Sequence, residues 1–69
     1  KRPGFNRRIE GHFRRWVLTG KQDAIDAAFE FCGQRHMRIV RSGPFPLINH
    51  KYDLNRFKII AEESIDHDR

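Results

Sequence analysis

The sequence predicts a small α+β domain, a two-layer β-α-β-β arrangement in which a three-stranded sheet packs on one helix. Three observations predict it. Residues 11–19 are rich in aromatic and branched side chains, residues 23–32 carry an apolar stripe at helical spacing, and two later segments alternate apolar with polar side chains.

Residues 1–10 hold Pro3, Gly4 and four cations without periodicity, and are expected to form a basic flexible arm with Phe5 as an anchor. The domain itself spans 11–62. Its first strand is His12 to Leu18, closed by the turn signal Thr19-Gly20. Arg14, Trp16 and Leu18 share one face of that strand and Phe13, Arg15 and Val17 the other, so neither face is purely apolar. In the helix, Ile25, Ala28, Phe29 and Cys32 fall at i, i+3, i+4 and i+7, with Asp23 as N-cap and Gly33 as the natural residue to end it, although Gln34 to Met37 could extend it by a turn. A second strand, Met37–Arg41, stops at Ser42-Gly43-Pro44. Ser42–Lys51 then reads as an extended loop, stiffened by Pro44 and Pro46. The third strand, Arg56–Glu62, sets Phe57, Ile59 and Ala61 against Arg56, Lys58 and Ile60. Residues 63–69 form an acidic tail that frays. The expected core is Trp16, Leu18, Ile25, Ala28, Phe29, Cys32, Met37, Ile39, Phe57 and Ile59.

A chain of 69 residues, 38% apolar and 33% charged, buries only about 60% of the surface its unfolded form exposes. A homodimer or a bound partner is an expected source of further burial. The single Cys32 has no intrachain disulfide partner, and no apolar run approaches the ~18 residues of a membrane span. The expected setting is therefore cytoplasmic, with no membrane partner.

The formal charge of +5 resides in residues 1–20, where six Lys and Arg face only Glu10; the remainder is neutral and ends acidic. Five of those six cations are Arg, whose planar fork holds the oxygens of phosphate or carboxylate in pairs. Arg14 and Arg15 interleave with His12, Phe13 and Trp16, and Arg7 and Arg8 lie in the arm before them. Arg38, Arg41, Arg56 and Lys58 form a second basic group, of which Arg38, Arg56 and Lys58 are expected opposite the apolar face. Sheet aromatics stack bases while Arg holds phosphates, so these eight residues are the candidate site for nucleic acid or an acidic protein surface.

Catalytic candidates are few. Cys32 lies on the apolar stripe, where a small buried thiol is expected rather than a nucleophile. His12, His36, His50 and His67 lack metal-site spacing, and Glu62 and Glu63 point to opposite faces of their strand. No catalytic residue, metal or cofactor is expected.

Arg38-Ile39-Val40-Arg41-Ser42-Gly43, followed by Tyr52-Asp53-Leu54-Asn55-Arg56-Phe57-Lys58, resembles serine-protease inhibitors of the potato inhibitor I type. The resemblance implies a single helix, a protease-binding loop at Ser42–Lys51 and bracing by Arg56 and Lys58. That family's loop supplies a Thr and an acidic or polar partner to the braces; this segment contains neither Thr nor carboxylate. Gly43-Pro44-Phe45-Pro46-Leu47 is similar to a loop of small-subunit ribosomal protein ten, which implies a place near RNA.

Two functions follow as expectations. The first is a noncatalytic, regulatory binding module docking on nucleic acid or on an acidic surface of the transcription or translation machinery. The alternative is a protein inhibitor presenting Ser42–Lys51, with Phe45, Leu47 or Ile48 as anchor.

Overall fold

The structure is a computed structural model that describes residues 4–11 and 14–63. Its elements are β1 (Phe5–Glu10), β2 (Arg15–Lys21), α1 (Ile25–Gln34), β3 (Met37–Pro46) and β4 (Tyr52–Glu63). The strands form one sheet in the order β1-β2-β4-β3, and every neighbouring pair is antiparallel. The α+β class agrees with the sequence reading, with four strands in place of three. Because β2 and β3 both run against β4, they are parallel to each other, joined through α1 with β4 inserted between them.

The extra strand is β1. Residues 5–10, read as part of a flexible arm, pair with β2 from Phe5↔Gly20 to Glu10↔Arg15. Their own side chains hold little apolar surface, and the pairing comes from the edge that β2 offers. Gly20, read as part of a turn, lies within β2 for a packing reason. A Cβ there would sit 3.0 Å from the Phe5 Cβ and 3.2 Å from the Phe57 ring.

A short 3-10 turn over Gln22–Ala24 precedes α1, so Asp23 does not cap the helix, and no side chain does so at Ala24. Gly33 does not end it either. The helix runs to Gln34, and the chain reverses at His36, whose φ of 56° is left-handed and whose N–H donates to the Gly33 carbonyl. The buried arc of α1 is also rotated from the expected one. Ala28 and Cys32 are buried and Ile25 and Phe31 partly so, whereas Phe29 is 38% exposed. At 100° per residue, Phe31 lies 60° to one side of Ala28 and Phe29 lies 100° to the other, just outside the packed arc.

Leu18, Phe57 and Ile59 are fully buried, and with Ala28, Cys32, Met37 and Ala61 they form the core between α1 and one face of the sheet. Ile39, expected in that core, is exposed because β3 is an edge strand and a bulge at Val40 breaks its register beside Ile39. Val17 is buried on the opposite face, flanked in register by Arg8 and Ile60. A thickness of 15 Å leaves room for one helix layer only. Among the described residues no element covers the second sheet face.

The largest correction concerns Ser42–Lys51. Ser42–Pro46 is not loop but the second half of β3, paired with β4 from Ser42↔Ile59 to Pro46↔Tyr52. Only the corner after Pro46 turns, where Leu47 N–H donates to the Lys51 carbonyl at 2.8 Å and Asn49 and His50 are left-handed. Likewise Glu63 does not begin a fraying tail but closes β4, while residues 64–69 of the expected tail and 1–3 of the expected arm lie outside the described residues. Among the described residues no helix is long and apolar enough to cross a membrane.

Candidate nucleic-acid interface

Alternation along four registered strands sorts the charges onto the uncovered face. Glu10, Arg15, Glu62 and Arg38 form one row across the sheet, and Arg8, Val17, Ile60 and Arg41 form the next. Thr19, Lys58 and Gly43 follow, then Lys21 beside Arg56. Among the described residues, seven cations therefore share this face with two acids.

Both acids are already engaged. Glu10 pairs with Arg8, and Glu62 takes Arg15 at 2.7 Å and Arg38 at 2.6 Å. The hydrogen bonds from Arg15 and then Arg38 hold the Glu62 carboxyl below the usual range, so it stays ionised and bonds to both neighbours. Lys21, Arg41, Arg56 and Lys58 have no carboxylate partner among the described residues. They occupy the half of the sheet nearer the β3–β4 corner. Arg56 is held in place by stacking, its guanidinium 3.8 Å from the centre of the half-buried Phe45 ring.

Next to these cations β3 and β4 part. Pro44 faces Phe57 but Phe45 faces Asp53, so residues 54–56 bulge from β4. Asp53 organises the bulge by accepting the Asn55 N–H at 2.9 Å. A shallow depression of about 450 Å³ opens here, lined by Arg41, Ser42, Gly43, Pro44, Pro46, Tyr52, Lys58 and Ile60. The apolar corner projects beyond it: Ile48 is 80% exposed and Leu47 about half exposed.

Arg8, Arg15, Arg38, Arg41, Arg56 and Lys58 are thus brought together, as six of the eight residues singled out in the sequence. Arg7 and Arg14 are not. Arg7 lies over the Phe31 ring on the helix side at 5.1 Å, and Arg14 pairs with Glu63. Trp16 also belongs to the helix side, edge-on to Phe31 at 5.3 Å and covered by Arg35. Of the aromatics expected to interleave with arginine, Phe13 falls outside the described residues. Lys21 and Tyr52 escaped the sequence reading because one follows an apparent turn and the other precedes a bulge that breaks alternation.

Cys32 is buried in the core, and burial pushes its thiol up, away from the reactive thiolate. Among the described residues no three His, Cys, Asp or Glu side chains converge.

Comparison with protein-family models, with curated proteins and with solved structures finds no match.

Proposed function

We propose that this chain is a noncatalytic binding module that holds the phosphate backbone of a nucleic acid against the uncovered face of its sheet. The observation that carries the reading is the charge balance of that face among the described residues: seven cations and two acids, with both acids engaged in internal ion pairs. Lys21, Arg41, Arg56 and Lys58 keep their charge for an external anion. Side chains two apart on one strand stand about 6.8 Å from each other, so Arg56 and Lys58 can engage neighbouring phosphates along a strand. A sheet also supplies a rigid platform, which lowers the ordering cost of binding. Such a module serves as a regulatory or docking element within transcription or translation machinery.

Inhibition through Ser42–Lys51 draws little support from this geometry, because Ser42–Pro46 is tied into the sheet by β4. An inhibitory loop needs its backbone free for the partner.

The test is anisotropy of labelled oligonucleotides titrated with the protein at two salt concentrations. Four phosphate contacts predict a fall in affinity of roughly fiftyfold for a single strand, and about threefold more than that for a duplex, between ~50 and ~200 mM salt. Absence of saturable binding at ~50 mM salt would refute the reading and turn attention to an acidic protein surface.

A further inference from the structure

We infer that the depression between the parted strands β3 and β4 takes one unstacked base together with its phosphate, so that the module prefers single-stranded to duplex nucleic acid. The inference rests on the nucleic-acid reading and deepens it.

Three features of the depression converge on this ligand. Its size of about 450 Å³ suits a nucleotide rather than a helix or a folded partner, within the ~300–1,000 Å³ of small-ligand sites. Its walls are of two kinds. Pro44, Pro46, Tyr52 and Ile60 offer flat or apolar surface, while Arg41 and Lys58 bring two cations without carboxylate partners among the described residues. A nucleotide has the same division, with an aromatic face at one end and a dianionic or diester phosphate at the other.

The third feature is position. The depression lies on the charged face, with Lys58 one register row from Lys21 and Arg56, so a backbone tracking those cations passes its mouth. Tyr52 is 57% exposed and has no aromatic partner among the described residues, which leaves its ring available to stack. Bases of a duplex are already stacked on one another and present only edges, so a paired nucleotide cannot fill the site. The break in register between Pro44 and Phe45 falls beside the depression, between its lining residues Tyr52 and Lys58.

The deciding experiment uses the whole chain and three labelled probes of one length: a single-stranded oligonucleotide, the same backbone with abasic sugars throughout, and a blunt duplex. The expected result is tighter binding of the base-bearing strand than of the abasic strand by at least tenfold, the scale of one stacked base. Tyr52→Ala should erase that difference and leave abasic binding unchanged, whereas Tyr52→Phe should preserve it. Tyr52 is exposed, so both variants are expected to keep the far-ultraviolet dichroism of the parent. Equal, salt-sensitive binding of the base-bearing and abasic strands would overturn the base site while leaving the phosphate reading intact. Tighter binding of duplex than of single strand would likewise overturn it. Binding of none of the probes would remove the phosphate reading and this inference together.

Discussion

The guanidinium of Arg35 lies 5.0 Å from the centre of the Trp16 ring and at the same time donates to the Glu63 carboxylate at 2.8 and 3.2 Å. One side chain thus joins the end of α1 to β2 and to the last residue of β4. Glu63 also takes Arg14, from the β1–β2 connection, and the Trp16 indole N–H lies close enough to favour its charged form without a regular hydrogen bond.

This arrangement makes stability depend on acid. Arg35 foremost holds the Glu63 carboxyl below its usual range, as Arg15 foremost does for Glu62. A depressed folded-state pKa contributes stability that is present above the unfolded value of about 4.3 and disappears as pH falls through the folded one. The urea midpoint should therefore drop between about pH 5 and pH 3, with Trp16 fluorescence reporting the change. Glu63→Gln should lower the midpoint at neutral pH and flatten the slope. An unchanged slope in that variant would assign the acid sensitivity to other carboxylates.

Glycine substitutions should move stability in opposite directions. At Gly20 an added methyl meets Phe5 and Phe57 at 3.0 to 3.2 Å, so Gly20→Ala should cost about 1–3 kcal/mol through overpacking. At Gly33, on the exposed side of α1, it meets nothing within 4 Å, and Gly33→Ala should add about 0.5 kcal/mol by restricting the unfolded chain. Denaturant unfolding of the two variants against the parent measures both.

The helix face can be read out through its two phenylalanines. Phe31 contacts Phe5 and Trp16 edge-on and lies beneath Arg7 and Arg35, so Phe31→Ala should cost about 2–3 kcal/mol. Phe29 is 38% exposed, and Phe29→Ala should stay within about 1 kcal/mol of the parent. Equal losses would mean that the helix sits rotated from the arrangement described.

The arginines should separate by face. Arg41→Ala with Lys58→Ala should weaken oligonucleotide binding and reduce the salt slope by about two, one for each lost phosphate contact. Arg14→Ala, on the helix side, should leave affinity and slope unchanged while lowering stability through Glu63. A loss of affinity with Arg14→Ala as large as that of the double variant would place the binding surface elsewhere.

Part of this was legible in the residues alone. Ile25, Ala28 and Cys32 declare a helix because a 3.6-residue period is a local property of the chain, and Phe57, Ile59 and Ala61 declare a strand face by a period of two. The same alternation put Glu62 and Glu63 on opposite faces and aligned Arg56 with Lys58. Hence Arg38, Arg56 and Lys58 could be assigned to one face from the residues alone, whereas Arg41 joins them only through the bulge at Val40 and Arg8 only because residues 5–10 form a strand. That Arg7 lies over Phe31 and Arg14 pairs with Glu63 was not legible, because a charge pattern says nothing of which carboxylate or ring lies across space.

The residues alone carry the α+β class, the helical period of α1, the apolar face of β4, and the concentration of positive charge near the start of the chain. Tertiary contacts make residues 5–10 a strand, carry β3 through Ser42–Pro46, and leave Lys21, Arg41, Arg56 and Lys58 without a carboxylate partner among the described residues. The physical reason is that strand hydrogen bonds and ion pairs are made with residues distant in sequence. A segment as polar as β1 acquires its conformation from β2, and a cation remains available for a ligand only when no carboxylate of the fold comes within reach.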